Sequence, residues 1–239
     1  MPRYSQFTAL LCAVMLMALT AALPAQAQRA VALPVDEASQ DPDFFAFRAR
    51  LIALVSAKDV EGVVANTCSN IHLGFDGSTG HDALREFLTV PENLLSANDK
   101  HLAPKMRAEN WGNLLKVLTL GGQFDAAGEF WAPYTWNAEV PDSFDPYSTY
   151  FITGSDVLMR DAPSKDGTAI DSLSYNIVTV PWLGEEQNDE DAVYLPVERP
   201  GGKIGYVHRD FLRAQIDYRA SFSKREQGKW KMCLFLAGD

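Results

Sequence analysis

Few residues in this chain are able to do chemistry. His72 and His81 flank a turn that contains Asp76, an arrangement suited to a metal ion or to an acid–base pair. Their spacing fits no zinc pattern. His72 alternates with apolar Ile71 and Leu73, and His81 falls in the first turn of an expected helix, so both read as ordinary surface or capping histidines. His101 and His208 complete the set. Cys68 sits in Asn66-Thr67-Cys68-Ser69. A nucleophilic thiol needs a base, a positive charge or a helix N-terminus beside it to ionise. Cys68 is expected at the end of a helix instead, and no later histidine lies in a glycine-flanked strand, so it reads as non-catalytic. The acidic run Glu185-Glu186-Gln187-Asn188-Asp189-Glu190-Asp191 lacks the alternating aspartates and glycine of a calcium loop. It reads as solvated.

Four aromatic residues are the better lead. Trp182, Tyr194, Tyr206 and Phe211 fall where polar and apolar residues alternate. About half the side chains of such a stretch face a core, and the others can form a groove for an extended peptide. Trp182, beside Pro181 and next to the acidic run, is expected to be exposed. These four are the expected ligand-binding residues. No catalytic residue, metal ligand or cofactor is assigned.

The chain's start sets the context. Arg3, the uncharged apolar residues 8–23, Pro24 and Ala25-Gln26-Ala27 have the form of a secretory signal cleaved after Ala27. The apolar run is short for a hydrocarbon core of about 30 Å, and no second run approaches spanning length. A periplasmic or secreted product without stable membrane insertion is therefore expected. Cleavage removes Cys12 and leaves Cys68 and Cys233, an even pair in a compartment that permits disulfides. They either bridge or remain two buried thiols. A net charge of −10 repels phosphate backbones and anionic lipid, so nucleic acid is not an expected partner.

The elements that would position these residues follow from period and punctuation. Residues 28–40 show no periodicity and read as a flexible lead-in. Asp41-Pro42 starts a helix with Phe44, Phe47, Leu51 and Val55 on one face. Lys58-Asp59 opens a shorter one with Val60, Val63 and Val64. Ile71, Leu73 and Phe75 alternate as a strand at 70–75, turned by Asp76-Gly77. Thr79 and Asp82 form a capping box ahead of a helix carrying Leu84, Phe87 and Leu88. A longer helix runs from about 105 to 120 and stops at Gly121-Gly122. Residues 137–149, rich in Pro, Asp and Ser, read as a linker after an α-rich domain at 41–136. Beyond them the period is two almost everywhere. At 214–239, Tyr218, Ala220 and Phe222 alternate, Glu226-Gln227-Gly228 turns, and Trp230, Met232 and Leu234 alternate again, which is a hairpin.

Within 150–213, Val157-Leu158-Met159-Arg160 precedes Asp161-Ala162-Pro163. Ala169-Ile170, Leu173, Ile177-Val178-Thr179-Val180 and Val193-Tyr194-Leu195-Pro196-Val197 follow. Gly201-Gly202-Lys203-Ile204-Gly205-Tyr206-Val207 then leads to Phe211-Leu212. This order resembles the bacterial Src-homology-3-like (SH3) domain, with its V-x-V-R-x-x-P, W-x-x-V and D-G-x-x-G-W-V segments. Leu158 stands where asparagine is common, and Tyr194 and Tyr206 stand where tryptophan is. The resemblance implies a small closed β-barrel without exposed edges. The whole chain resembles exported bacterial proteins described as SH3-domain-containing, whose endings are similar to Tyr218-Arg219-Ala220 through Gly228-Lys229-Trp230 to Ala237-Gly238-Asp239. The flanking parts resemble a nuclear-transport-factor-2-like (cystatin-like) cone: two helices, the strand at 70–75 and the helix from Gly80 to Leu88 open it, and the final hairpin closes it around an inserted barrel. The other reading is a helical N-terminal domain, with the hairpin extending the barrel.

The expected fold class is α+β: a mainly helical or cone-like N-terminal domain, a small all-β SH3-like barrel and a C-terminal β-hairpin. The expected function is non-enzymatic binding, by the barrel, of a peptidoglycan peptide or an envelope protein. The alternative is a cone-fold pocket that binds or transforms a small molecule near His72 or Asp76.

Overall fold

The computed structural model describes residues 29–184, 189, 191–199, 202–224 and 228–238. The expected leader at 1–27, most of the acidic run, Gly201 and most of the final hairpin's turn lie outside the described residues. The chain is α+β.

Helices form where caps and apolar spacing agree. Helix α1, Pro42–Ser56, starts on Asp41, whose carboxylate accepts the Phe44 N–H at 2.9 Å, and Pro42 occupies its first turn. It buries Phe44, Phe47, Leu51 and Val55. Helix α2, Val60–Ala65, is capped by the Asp59 side chain. Helix α3, Gly80–Thr89, follows Thr79, but the Thr79 side chain makes no capping bond, so the expected box does not close. Asp82 pairs with Arg85 at 2.9 Å instead. Helix α4, Ala103–Thr119, leads into Gly121 at φ +75°. At Gly122 a Cβ would lie 2.2 Å from the Trp131 carbonyl oxygen, so close backbone approach demands glycine there.

In chain order the strands are β1 (Thr67–His72), β2 (Gln123–Phe124), β3 (Phe130–Ala132), β4 (Thr149–Ile152), β5 (Val157–Arg160), β6 (Ala169–Leu173), β7 (Ile177–Thr179), β8 (Tyr194–Arg199), β9 (Lys203–His208), β10 (Leu212–Ala214), β11 (Arg219–Ser223) and β12 (Lys231–Leu236). They make two sheets. One has the order β1-β12-β11-β3-β2, with β12 parallel to β1 and antiparallel to β11. The helices cover one of its faces. There Phe44 meets Phe130 at 4.2 Å, Trp230 at 4.9 Å and Phe222 at 5.4 Å between ring centroids. Leu51, Ile71, Leu84, Leu114, Leu118 and Met232 complete this core, all fully buried.

The other sheet has the order β10-β4-β7-β8-β9-β5-β6. Its core draws Leu173 from one end of that order and Ile152 from near the other, with Met159, Val178, Val197 and Val207 between them. The sheet is therefore curled on itself. The expected full closure is not made: β10 and β6 remain as edges. Beyond β6 the chain passes through Tyr175 at φ +56°, whose N–H bonds the Gly154 carbonyl at 3.0 Å, and continues into β7, which pairs with β4.

Three further expectations are corrected. First, β1 begins earlier than the alternation suggests and ends at His72. Ile71 is buried, whereas Phe75 lies in the turn and is 64% exposed. Second, residues 29–37 are not a free lead-in. They run as a strap between the sheets: Ala32 N–H bonds the Tyr175 carbonyl at 2.8 Å, and Gly122 N–H bonds the Val35 carbonyl at 2.9 Å. Arg29 pairs with Asp171 at 3.0 Å, and Asp36 with Arg48 at 2.6 Å. Third, Ala138, Val140 and Phe144 of the expected linker pack with Ala32, Tyr134, Phe151 and Ile177 in a cluster at the seam between the sheets.

The final hairpin carries a β-bulge. Phe222 faces Met232 and Ser221 faces Leu234, which leaves Cys233 as the extra residue. The parity then flips, so Phe235, and not Leu234, is buried. Cys233 forms a disulfide with Cys68 of β1, Cα to Cα 4.8 Å.

The bridge closes a loop of 165 residues. Loop-closure entropy makes such a bridge worth about 3–5 kcal/mol. Reduction, or replacement of both cysteines by alanine, is expected to lower the denaturant midpoint correspondingly. An unchanged midpoint would show that the pairing of β1 with β12 stands without it. At the seam, the Tyr134 hydroxyl has no hydrogen-bond partner among the described residues. Burial pushes its pKa up to about 12, with Tyr175 adding to the rise and Arg213 opposing it. Tyr134→Phe removes an unpaired buried hydroxyl and is expected to leave stability unchanged or raise it by about 1 kcal/mol. A loss of more than about 1 kcal/mol in urea titration would refute that.

Candidate functional site

The residues singled out for chemistry do not assemble into a catalytic centre. Cys68 is held in the disulfide. His72 lies exposed on β1. His81 sits in the first turn of α3, and its Nε2 is buried with no hydrogen-bond partner among the described residues. Asp76 is exposed and closes its own turn: the Ser78 N–H bonds it at 3.0 Å and, with the Ser78 hydroxyl, holds its carboxyl below the usual range. Among the described residues, no group of three His, Cys, Asp or Glu side chains is placed to hold a metal ion.

The aromatic residues are organised. On β8 and β9, Leu195, Val197 and Val207 turn inward. The intervening residues turn outward, with Tyr194 opposite His208 and Pro196 opposite Tyr206. The Tyr194 ring meets His208 edge-on at 5.1 Å, and His208 meets Phe211 at 6.3 Å. The Asp210 N–H bonds His208 Nδ1 at 3.3 Å, which fixes that ring. Leu158 on neighbouring β5 stands 45% exposed and Phe211 44% exposed. Together they wall a groove of about 360 Å³ whose charged groups are Asp156, Arg160 and Asp210. Asp156 reaches it from a turn at φ +54°.

Tyr206 shares this outward face without bordering the groove; it lies opposite Arg160 of β5. Trp182 is elsewhere. It is 71% exposed and borders a second groove of about 520 Å³ between the curled sheet and α4. Tyr147 and Tyr150 border the same groove, as do Lys116, Asp145, Arg209 and Asp217. Burial raises the Tyr150 phenol, with Arg209 and Asp217 acting on it in opposite senses. Three of the four expected ligand residues thus share one face, and the fourth belongs to another opening. Sequence reasoning missed Leu158, His208 and Asp210 in the first groove and Tyr147 in the second. The outward parity of β9 could have found His208. Tyr147 lay in a segment read as a linker.

A third opening, of about 690 Å³, lies where the start of α1 meets the final hairpin. Two of its charged groups, Asp41 and Lys224, serve the fold. Lys224 pairs with Asp41 at 2.9 Å and lies 4.9 Å over the Trp230 ring.

Compared with known proteins, the chain matches no family model, no curated protein and no solved structure. No helix among the described residues is long and apolar enough to cross a membrane.

The α1 cap carries a pH dependence. Burial alone would raise the Asp41 carboxyl, but the Lys224 hydrogen bond and the Phe44 N–H outweigh it and hold it below its ordinary value. A carboxyl depressed in the folded state stabilises above its unfolded pKa, and that stability is lost as pH falls through the folded value. Thermal midpoints are therefore expected to fall below about pH 4. Asp41→Asn keeps a capping side chain and is expected to flatten that fall. An acid limb identical in the variant would remove Asp41 from the account.

Proposed function

We propose that this chain is an exported, non-enzymatic binding protein of the bacterial envelope. Residues 150–213 form its SH3-like barrel, and the outward face of that barrel takes an extended peptide of the cell wall or of an envelope protein. The observation that carries the reading is the rank Tyr194–His208–Phe211, stacked edge to face beside exposed Leu158. Two carboxylates, Asp156 and Asp210, stand at the rim against one guanidinium, that of Arg160, which donates to the Gly167 carbonyl at 2.7 Å; with the ring faces they suit a peptide bearing an ammonium group. The leader-like start at 1–27 supports export. The single inward-facing cluster of the curled sheet supports the barrel.

For the flanking parts we favour the cone-like arrangement. Its support is the parallel pairing of β12 with β1, which brings the last strand onto the first. The small-molecule version of that reading has less behind it. Phe44, Phe130, Phe222 and Trp230 fill the space between helices and sheet. Neither His72 nor Asp76 borders the grooves described above.

Purified sacculi, and the soluble peptides released from them, test the proposal. The mature chain is expected to be retained above an unrelated acidic control. Tyr194→Ala and Phe211→Ala should each weaken retention about tenfold, a loss of roughly 1.4 kcal/mol, with the far-ultraviolet spectrum unchanged. Equal retention of the control, or of both variants, would sink the wall-peptide reading.

A further inference from the structure

We propose that the groove between α4 and the curled sheet is a second ligand site, and that it takes an uncharged oligosaccharide. It is separate from the peptide groove and borders none of the rings invoked there except through the backbone they share. Three observations carry the inference. The first is the pair of lips. Trp182 and Tyr147 stand 71% and 68% exposed, although apolar area of this size is normally withdrawn from water. Both border one concavity of about 520 Å³, within the range of small-ligand sites. The second is half-buried Tyr150, which adds a third aromatic ring to the same lining.

The third observation is the charge of the rim. Lys116, Arg209, Asp145 and Asp217 all line the same groove, so among the described residues its lining carries two charges of each sign. An anion would meet two carboxylates and a cation two basic groups. A neutral polyol meets neither penalty, because each hydroxyl both donates and accepts. Its hydroxyls donate to the carboxylates and accept from the ammonium and guanidinium groups. The carboxylates keep room for this. Asp145 takes one bond from the Ser148 hydroxyl at 3.0 Å, and Asp217 is shared between the Tyr218 N–H at 2.6 Å and Arg213 at 3.3 Å. A carboxylate offers about four lone-pair positions. A pyranose adds a flat C–H face that lies on an indole or phenol. A ring flanked by hydroxyl edges therefore matches aromatic lips above a mixed polar rim.

The test uses the mature chain and four tetrasaccharides: β-1,4-linked glucose, β-1,4-linked N-acetylglucosamine, α-1,4-linked glucose and, as the charged control, galacturonate. Binding is read by calorimetry and by tryptophan emission. Saturable binding of at least one neutral tetramer is expected, weakened about tenfold or more in Trp182→Ala and in Tyr147→Ala. Trp182→Phe should restore it in part, and Phe211→Ala should leave it unchanged. Absence of saturation with every neutral tetramer up to about 10 mM would overturn the proposal. So would binding untouched by Trp182→Ala, or galacturonate bound as tightly as the neutral sugars. Because Phe211→Ala reports the peptide groove and Trp182→Ala this one, failure of either reading is distinguishable from failure of the other.

Discussion

The rest of the molecule depends on where the last strand goes. Strand β12 lies between β1 and β11, so the first strand and the last are neighbours in one sheet. The disulfide between Cys68 and Cys233 fastens that contact at a bulge. Everything from the end of β1 to the start of β11 must fold inside the loop so closed. The curled sheet can sit there because β4 and β10 pair, which brings the two ends of residues 149–214 side by side. The Gln215 N–H bonds the Thr149 carbonyl at 2.9 Å just beyond that pairing. The chain thus leaves the first sheet after β3 and re-enters it as β11 at one place, and β3 and β11 can be ladder neighbours. The strap at 29–37 and the cluster around Tyr134 then hold the two sheets together from a second direction.

Much of this was legible from local chemistry. Asp41-Pro42 marked α1, and the spacing of Phe44, Phe47, Leu51 and Val55 marked its buried face, because cap and period agree there. Alternation located β5 through β9 to within a residue or two. The exposure of Trp182 followed from a proline on one side and carboxylates on the other. The misses share one cause, which is structure set by contacts distant in sequence. The strap has no period because only a few of its backbone groups pair, each with a different partner. The alternation Ile71, Leu73, Phe75 runs past the end of β1, since nothing local states where β12 stops. The bulge at Cys233 breaks the hairpin's parity, so Leu234 was expected inward and Phe235 took its place. Asp82 has a basic neighbour one turn on and prefers Arg85 to the Thr79 backbone.

The site residues divide along the same line. Tyr194, Tyr206 and Phe211 share a face because strand parity is local and readable. Their grouping with Trp182 assumed that exposed aromatic residues of one sheet share an opening. That requires knowing how the sheet curls and what it packs against. Helix α4 contributes Lys116 to the opening that Trp182 borders, and Phe144 of the segment that carries Tyr147 packs in the seam cluster. Neither fact is written in the alternation.

The two grooves lie back to back on one stretch of backbone. Tyr194 borders the aromatic groove and Leu195 the junction groove; Asp210 borders the first and Arg209 the second; Phe211 borders the first and Leu212 the second. On β8 this is the pleat at work, since consecutive side chains leave a strand on opposite sides. At 209–212 a short 3-10 turn running into β10 divides neighbours in the same way. The two openings therefore share a stretch of backbone and no side chain. Arg209 is fastened in turn to the carbonyls of Ala192 and Asp189, at 2.8 and 2.7 Å. It ties the segment between the grooves to the loop that follows Trp182. A paired strand and a guanidinium bound to two backbone carbonyls thus fix in place the segments from which both grooves take their walls.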